Sequence, residues 1–373
     1  MREVCLLFFV CVASLAADTD PRWNHPLDNP APPESMAFTT DRYRTAMSDS
    51  AFCMAMFDDG SVMMFSLFHY ETRLFERWGI YLLLSQVDGE TIWVSESIDE
   101  DSIEFASDRL HITAGENVLS GEGMRYRLDW SAGDLTIALQ FENLLPPWML
   151  GDGLDVLGDP RRSFQRRAVF SPWAKVRGTV AIARDGVSIE REVVGEGMGE
   201  KSIIVNGLNR FNPELISMRV FGFSHEGSDV ELAEGLHIGL LDSTAHPAYD
   251  SIRLPRLFVA RDGAWLFSSG SYEIDFLEMD RVEGLPYEYP VRFSLVAHGS
   301  EYELTGEYSV DRLFNTTDIL AELPGLLRRL VLLFVDRPVY YRTTGTFVGT
   351  LTHPDGHEES IRLYGPYEYV VAL

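Results

Sequence analysis

Cysteine is nearly absent from this chain. Three occur in 373 residues, and two of them, Cys5 and Cys11, lie in an apolar N-terminal run. Once that run is removed only Cys53 remains, so no intrachain disulfide is possible and the core must hold the fold. Cys53 sits in the apolar stretch "AFCMAMF" and reads as core filler rather than a nucleophile. Catalytic signatures are missing too. No G-x-S-x-G, H-E-x-x-H or paired C-x-x-C occurs, which removes the commonest hydrolase and metal readings. Cations are scarce: 31 Lys and Arg face 57 Asp and Glu, a formal charge of −26. Nucleic acid is disfavoured as a partner, because phosphate binding needs clustered cations, and an anionic membrane surface would repel the chain. Most of the carboxylates read as a solvated surface.

Long apolar runs are also lacking. The one candidate, Cys5 to Ala17, is shorter than the roughly 20 residues needed to span a bilayer. It follows Arg2 and ends in small residues before Asp18. This predicts a signal peptide over 1–17 and an exported protein, periplasmic or secreted, with no integral membrane segment after cleavage.

What remains is strict alternation. "MRYRLDW" places Met124, Tyr126, Leu128 and Trp130 on one face, "DLTIALQFE" does the same with Leu135, Ile137, Leu139 and Phe141, and "SAG" between them reads as a turn. The pattern repeats along the chain. "MRYRLDWSAGDLTIALQF" lies against "VRFSLVAHGSEYELTGEY" at offsets of 167 to 169, pairing Arg125 with Arg292, Tyr126 with Phe293 and Leu135 with Leu304. Upstream, Trp93 answers to Trp265 and Phe105 to Phe276. Downstream, Gly178, Asp185, Gly186 and Gly195 answer to Gly345, Asp355, Gly356 and Gly365, with nine positions from turn glycine to later glycine in both copies. Many short strands separated by turns predict antiparallel barrels. The expected fold is therefore all-β: two tandem lipocalin-like barrels from a repeat of about 170 residues. The expected organisation is an irregular lead-in over 18–44, a first barrel over 45–200 and a second over 201–373. One short helix is expected in the second repeat, over Thr316–Val335, where leucines recur at helical spacing around Pro324.

Two lipocalin-like repeats, "PWAKVRGT" from Pro172 to Thr179, the following D-G hairpin and the Gly195-x-Gly197 segment resemble the bacterial carotenoid 1,2-hydratase (hydroxyneurosporene synthase) and AttH-like superfamily. The resemblance covers roughly residues 45–373. It implies a fold that handles apolar, often isoprenoid molecules. In the hydratase branch Gly-x-Gly continues as aromatic, any residue, Asp, His, Asn, Trp. Here Met198, Glu200, Lys201, Ser202 and Ile203 stand at the aromatic, Asp, His, Asn and Trp positions. A lysine is a poor acid at neutral pH and isoleucine has no π face for a carbocation, so the family's hydration chemistry lacks its residues.

Glu200 and Lys201 are candidate ligand-binding residues within that segment. Arg191 shares an alternation face with Val187, Ile189 and Val193; on an inward face it could hold a carboxylate or polar ligand head, but a bulge that turns it outward or an internal salt bridge with Glu200 or a similar acid is the expected outcome. Trp148 and Trp173 can line an apolar pocket mouth or simply fill the core. Asp242 is expected at a strand end, capping the turn "DSTAHP". His353 and His357 flank a P-D-G turn and read as a hairpin tip, so no metal is expected, and no cofactor either. Asn315-Thr316-Thr317 fits a glycosylation sequon. "GEGMGEKS", Gly195 to Ser202, is one letter from a phosphate-binding loop, but "SIIVNGLNRFNPEL" after it has no helical period, so the match is accidental. The leading reading is an exported binding protein for an apolar small molecule. The alternative is a hydratase, cyclase or isomerase of isoprenoids or polyenes, and a third is a structural protein whose barrels are filled by their own side chains.

Overall fold

The computed structural model describes residues 29–372 apart from 42, 44–45, 73–75, 151–154, 158, 160–161, 185, 207–211, 224–231, 252, 300 and 319–337. The expected signal peptide lies outside the described residues, as does most of the expected helix; Thr316–Asp318, at its start, end a strand.

Two antiparallel sheets account for the strands. Sheet 1 contains β1 (Met47–Phe57), β2 (Val62–Glu71), β3 (Glu76–Ser85), β4 (Thr91–Ile98), β5 (Ile103–Phe105), β6 (Leu110–Ala114), β7 (Asn117–Glu122), β8 (Arg125–Ala132) and β9 (Leu135–Asn143). Short β10 (Trp148–Met149) and β11 (Asp155–Val156) pair with β12 (Phe164–Arg184), and β13 (Val187–Val205) completes the sheet. Sheet 2 contains β14 (Glu214–Phe221), β15 (Leu236–Thr244), β16 (Arg253–Arg261), β17 (Ala264–Ser269), β18 (Tyr272–Arg281), β19 (Glu288–His298), β20 (Glu303–Asp318), β21 (Val339–Thr352) and β22 (Glu358–Val371). The strand paths coincide: β4-β3-β2-β1-β13-β12-β9-β8 in one, β17-β16-β15-β14-β22-β21-β20-β19 in the other. In both, the last strand of the unit pairs back onto the first. These are tandem lipocalin-like barrels, each wrapped round its own core.

The landmarks of the sequence repeat fall at equivalent places. Trp93 and Trp265 lie in β4 and β17, and Tyr126 and Phe293 are buried inside the barrels on β8 and β19. Gly186 and Gly356 turn the hairpins β12–β13 and β21–β22 at φ 79° and 81°. A Cβ at Gly195 would stand 2.0 Å from the Met56 carbonyl oxygen, and one at Gly365 would stand 2.1 Å from that of Arg219. Only glycine lets β13 and β22 approach the first strand of their barrels so closely.

Alternation decides which side chains enter each barrel. From β1, Ala51, Cys53, Ala55 and Phe57 point into barrel 1, where they meet Tyr126, Leu128 and Trp130 of β8. Met124, expected on that face, lies in the turn before β8 and is 42% exposed. Burial pushes the Cys53 thiol up, which keeps it protonated and inert. The lead-in contributes a 3-10 turn, Pro33–Met36, and sends Met36 and Phe38 into the same core. Barrel 2 is packed with tyrosines: Tyr308 and Tyr367 are fully buried against Phe293, and Tyr341 against Tyr289. No helix among the described residues is long and apolar enough to cross a membrane.

Candidate functional site

Near the junction of the barrels the strands stop alternating. β14 reads "ELISMRVF" and β15 "LHIGLLDST", and nearly every residue of both is buried. A strand with both faces dry must pack on two sides, here the barrel interior and the neighbouring barrel. The resulting seam carries its own apolar cluster, with Met54, Met56, Met64, Trp148, Trp173 and Met198 from sheet 1 against Leu215, Phe221, Leu241, Phe258, Phe314 and Val370 from sheet 2.

Strand register orders the sheet 1 wall into three rows. The first is Met198–Met54–Met64–Leu83–Trp93, buried except for the half-buried tryptophan. The second is Glu200–Phe52–Ser66–Tyr81–Ser95, half-buried throughout, and the third is Ser202–Ser50–Phe68–Gly79–Ser97. Phe68, Tyr81 and Trp93 stack in sequence, with ring centroids 4.8 and 5.3 Å apart. Gly79 permits the stack, since a Cβ there would lie 2.6 Å from the tip of the Phe68 ring. The wall is therefore a run of aromatic faces over small serines, passing from partial exposure into a dry methionine row.

Arginines meet this wall, Arg219, Arg256 and Arg342 from sheet 2 and Arg167 from β12 of sheet 1. Arg342 lies 5.5 Å over Trp93 and 5.0 Å over Tyr340, and its Nε donates to Glu368 at 2.8 Å. Its Nη1 donates to Asn315 and Thr317, so the sequon asparagine is part of this network. Arg167 donates to Glu200 at 3.4 Å, and Arg219 stands 3.9 Å from the other Glu200 oxygen while donating to the Met218 and Leu240 carbonyls. Arg256 holds Asp155 through two contacts of 2.6 and 2.7 Å. Arg167, Arg219, Arg256 and Arg342 are all buried. Desolvation pulls the Arg219 guanidinium below the usual arginine range, opposed by Glu200 and Glu368 and reinforced by Arg167. Tyr340 is pushed up to about 12 by burial, with Arg342 working against that. Three buried polar atoms here, Glu200 Oε2, Ser202 Oγ and Asn212 Oδ1, have no hydrogen-bond partner among the described residues.

Deeper in the seam His237 lies flat on Phe221, with ring centroids 4.4 Å apart, and donates from Nδ1 to the Val220 carbonyl at 2.9 Å. Trp173 from barrel 1 packs 5.6 Å from it and donates to Glu196 at 2.8 Å. Burial lowers His237 to about 3, so its ring is neutral.

The candidates drawn from sequence do not gather in one place. Glu200, Trp148 and Trp173 all line the seam; Trp148 is fully buried and meets Phe258 and Trp265 edge-on. Lys201, one position from Glu200 in β13, necessarily faces the other way and is buried in barrel 1, paired with Asp49 beneath the Phe38 ring. Arg191 does not point into a barrel. The hairpin β12–β13 outruns the barrel, leaving Val187 and Ile189 about 60% exposed, and Arg191 pairs with Asp59 and donates to Ser61 beside the β1–β2 turn. Asp242 is not a turn cap. It lies within β15 opposite Pro255, and its two oxygens accept from Arg253 Nε at 3.0 and 2.9 Å. His353 and His357 do form the β21–β22 hairpin tip, where His353 contacts Glu359 at 3.0 Å. Alternation alone missed Arg167, Arg219 and Arg342. Only Arg219 has a local signal, an arginine in the mostly apolar stretch "ISMRVF".

Comparison with known proteins now bears on this geometry. The two-barrel fold is shared with CghA (TM-score 0.61, 14% identity, covering 94% of this chain and 95% of that one). CghA bound to Sch210972 is similar as well (0.59, 13%, 88% and 89%). A protein of Nitrosomonas europaea assigned as AttH has a TM-score of 0.54 at 14% identity, covering 88% and 92%. Kievitone hydratase of Nectria haematococca gives 0.51 at 11%, covering 92% and 98%. At these identities the likeness is one of fold. No curated sequence matches the chain. The Svf1 family model matches residues 45–358, and the chain belongs to the Svf1 family.

Proposed function

We propose that this member of the Svf1 family binds an apolar small molecule, lipid- or isoprenoid-like, in the seam between its two barrels. The observation that carries this reading is the half-exposed stack Phe68–Tyr81–Trp93, which leads without a break into the buried methionine row. Methionine and flat rings adapt to an irregular apolar surface, and serines between the rings leave room along it. The barrel interiors suit a ligand less well, because large side chains such as Trp130, Tyr308, Tyr341 and Tyr367 already occupy them. A fold that holds Sch210972 in CghA supports the same reading.

A catalytic reading, as a hydratase, cyclase or isomerase, draws on one observation: Glu200 lies in register beside Phe52, in the row that continues to Tyr81, and its Oε2 accepts no hydrogen bond from the described residues. The groups nearest that carboxylate are arginines, which do not release a proton. Binding is therefore the stronger reading.

Native mass spectrometry of the purified protein, followed by solvent extraction, tests it. The expected result is a bound apolar compound near one per chain, reduced at least roughly tenfold in a Tyr81→Ala, Trp93→Ala double variant that keeps its far-UV spectrum. Absence of any extractable compound, together with no uptake of added polyenes or long-chain compounds, would sink the proposal.

A further inference from the structure

Among the described residues, charges in the seam do not balance. Of the buried guanidiniums, Arg256 is committed to Asp155, and the Glu196 carboxylate is committed to Lys175 and Trp173. Arg312 is partly exposed at the rim and bonds neutral oxygens of Gln86 and Ser85. Among the described residues that leaves Arg167, Arg219 and Arg342 facing Glu200 and Glu368, three cations against two anions, or 3 − 2 = +1. All five groups lie within electrostatic range, since Arg219 is influenced by Glu200, Glu368 and Arg167, and Tyr340 by Arg342, Glu368 and Arg167. An unbalanced buried cation is costly unless an anion joins it.

Hydrogen bonding points the same way. Nε of Arg167 and Nε of Arg219 are buried donors without an acceptor among the described residues, and so is the hydroxyl of Ser202. Ser202 is 6% exposed, sits beside Arg167 in the β12–β13 register, and shares its face with Glu200 and Phe68. Unpaired donors, three against the two unpaired acceptors Glu200 Oε2 and Asn212 Oδ1, and surplus positive charge coincide on the β12–β13 side of the wall, next to Phe52.

We infer that the ligand of the seam is a long-chain carboxylate, its acid group held by Arg167, Arg219 and Ser202 and its chain laid along Phe52, Phe68, Tyr81 and Trp93. This rests on the proposed binding in the seam and adds the head group. A single negative charge matches the +1 imbalance, and a carboxylate suits the planar guanidinium fork. A phosphate, with close to two charges, would overshoot it.

Equilibrium binding of palmitate, hexadecanol and hexadecyl phosphate to the intact protein provides the test. Palmitate is expected to bind at least roughly tenfold more tightly than hexadecanol, the scale of one charge-assisted hydrogen bond. Glu200→Gln, which adds one net positive charge without removing a cation, should tighten palmitate and raise the palmitate-to-hexadecanol affinity ratio further, a selectivity change that a purely structural glutamate would not produce. Equal affinity for palmitate and hexadecanol overturns the head-group inference and leaves apolar binding standing. Tighter binding of hexadecyl phosphate overturns the carboxylate in favour of a dianion. No binding of any of the three overturns the seam as a lipid site.

Discussion

Lys201→Met lowers the unfolding free energy by about 3–5 kcal/mol. Lys201 is 1% exposed and Asp49 0%, and the two are paired in the interior of barrel 1. Removing the ammonium leaves the Asp49 carboxylate with the Thr39 N–H, 2.7 Å away, as its hydrogen-bond donor among the described residues. The lost Phe38 ring contact, 4.3 Å from Nζ, adds a smaller term. Burial drags the Lys201 ammonium well below the ordinary lysine range, so lysine is tolerated here only with its partner. The double variant Asp49→Asn, Lys201→Met removes both charges and is expected to lose clearly less than the sum of the single variants. Urea unfolding of the four proteins measures the coupling. Additivity within roughly 0.5 kcal/mol would show that the pair does not act as described.

Acid is expected to weaken the protein through His237. Its folded pKa is lowered to about 3 from an ordinary 6.5, mainly by burial. Above pH 6.5 the ring is neutral in both states and imposes no penalty. As pH falls from 6.5 toward 3 the unfolded chain takes up a proton that the folded chain refuses, so stability drops by about 1.4 kcal/mol per pH unit, reaching about 4–5 kcal/mol. Carboxylates add slopes of their own, so the quantity to measure is the difference between the wild-type protein and His237→Phe, which keeps a ring against Phe221. The variant should show the shallower loss between pH 6.5 and 4. Because His237 packs against Trp173 of the other barrel, fluorescence of that tryptophan should report the same transition. Parallel stability profiles for the two proteins would contradict this account.

The fold was legible because alternation and repetition are properties of the chain itself. Tyr126 and Phe293 announced equivalent strands, and Gly195 and Gly365 announced equivalent close approaches. The seam was far less legible. Its residues come from strands separated by well over a hundred positions, and nothing local in "VRFSL" or "YYRTTG" says whether an arginine faces water or a neighbouring barrel. Arg191 is satisfied by an acid, Asp59, as the residue type demands, but alternation does not reveal where a long hairpin outgrows its barrel. Glu200 and Lys201 illustrate why a motif read along the chain misleads in a strand. Adjacent letters point to opposite sides of the sheet, one into the seam and one into a barrel core.

Photo-crosslinking with a long-chain carboxylate bearing a diazirine along its chain, followed by peptide mapping, tests seam binding most directly. The account predicts saturable labelling on β2 to β4 around Phe68, Tyr81 and Trp93 and on β21 near Tyr340, abolished by excess unlabelled palmitate. Saturable labelling of barrel-interior positions such as Trp130 on β8 or Phe293 on β19, with the seam unmarked, would contradict it.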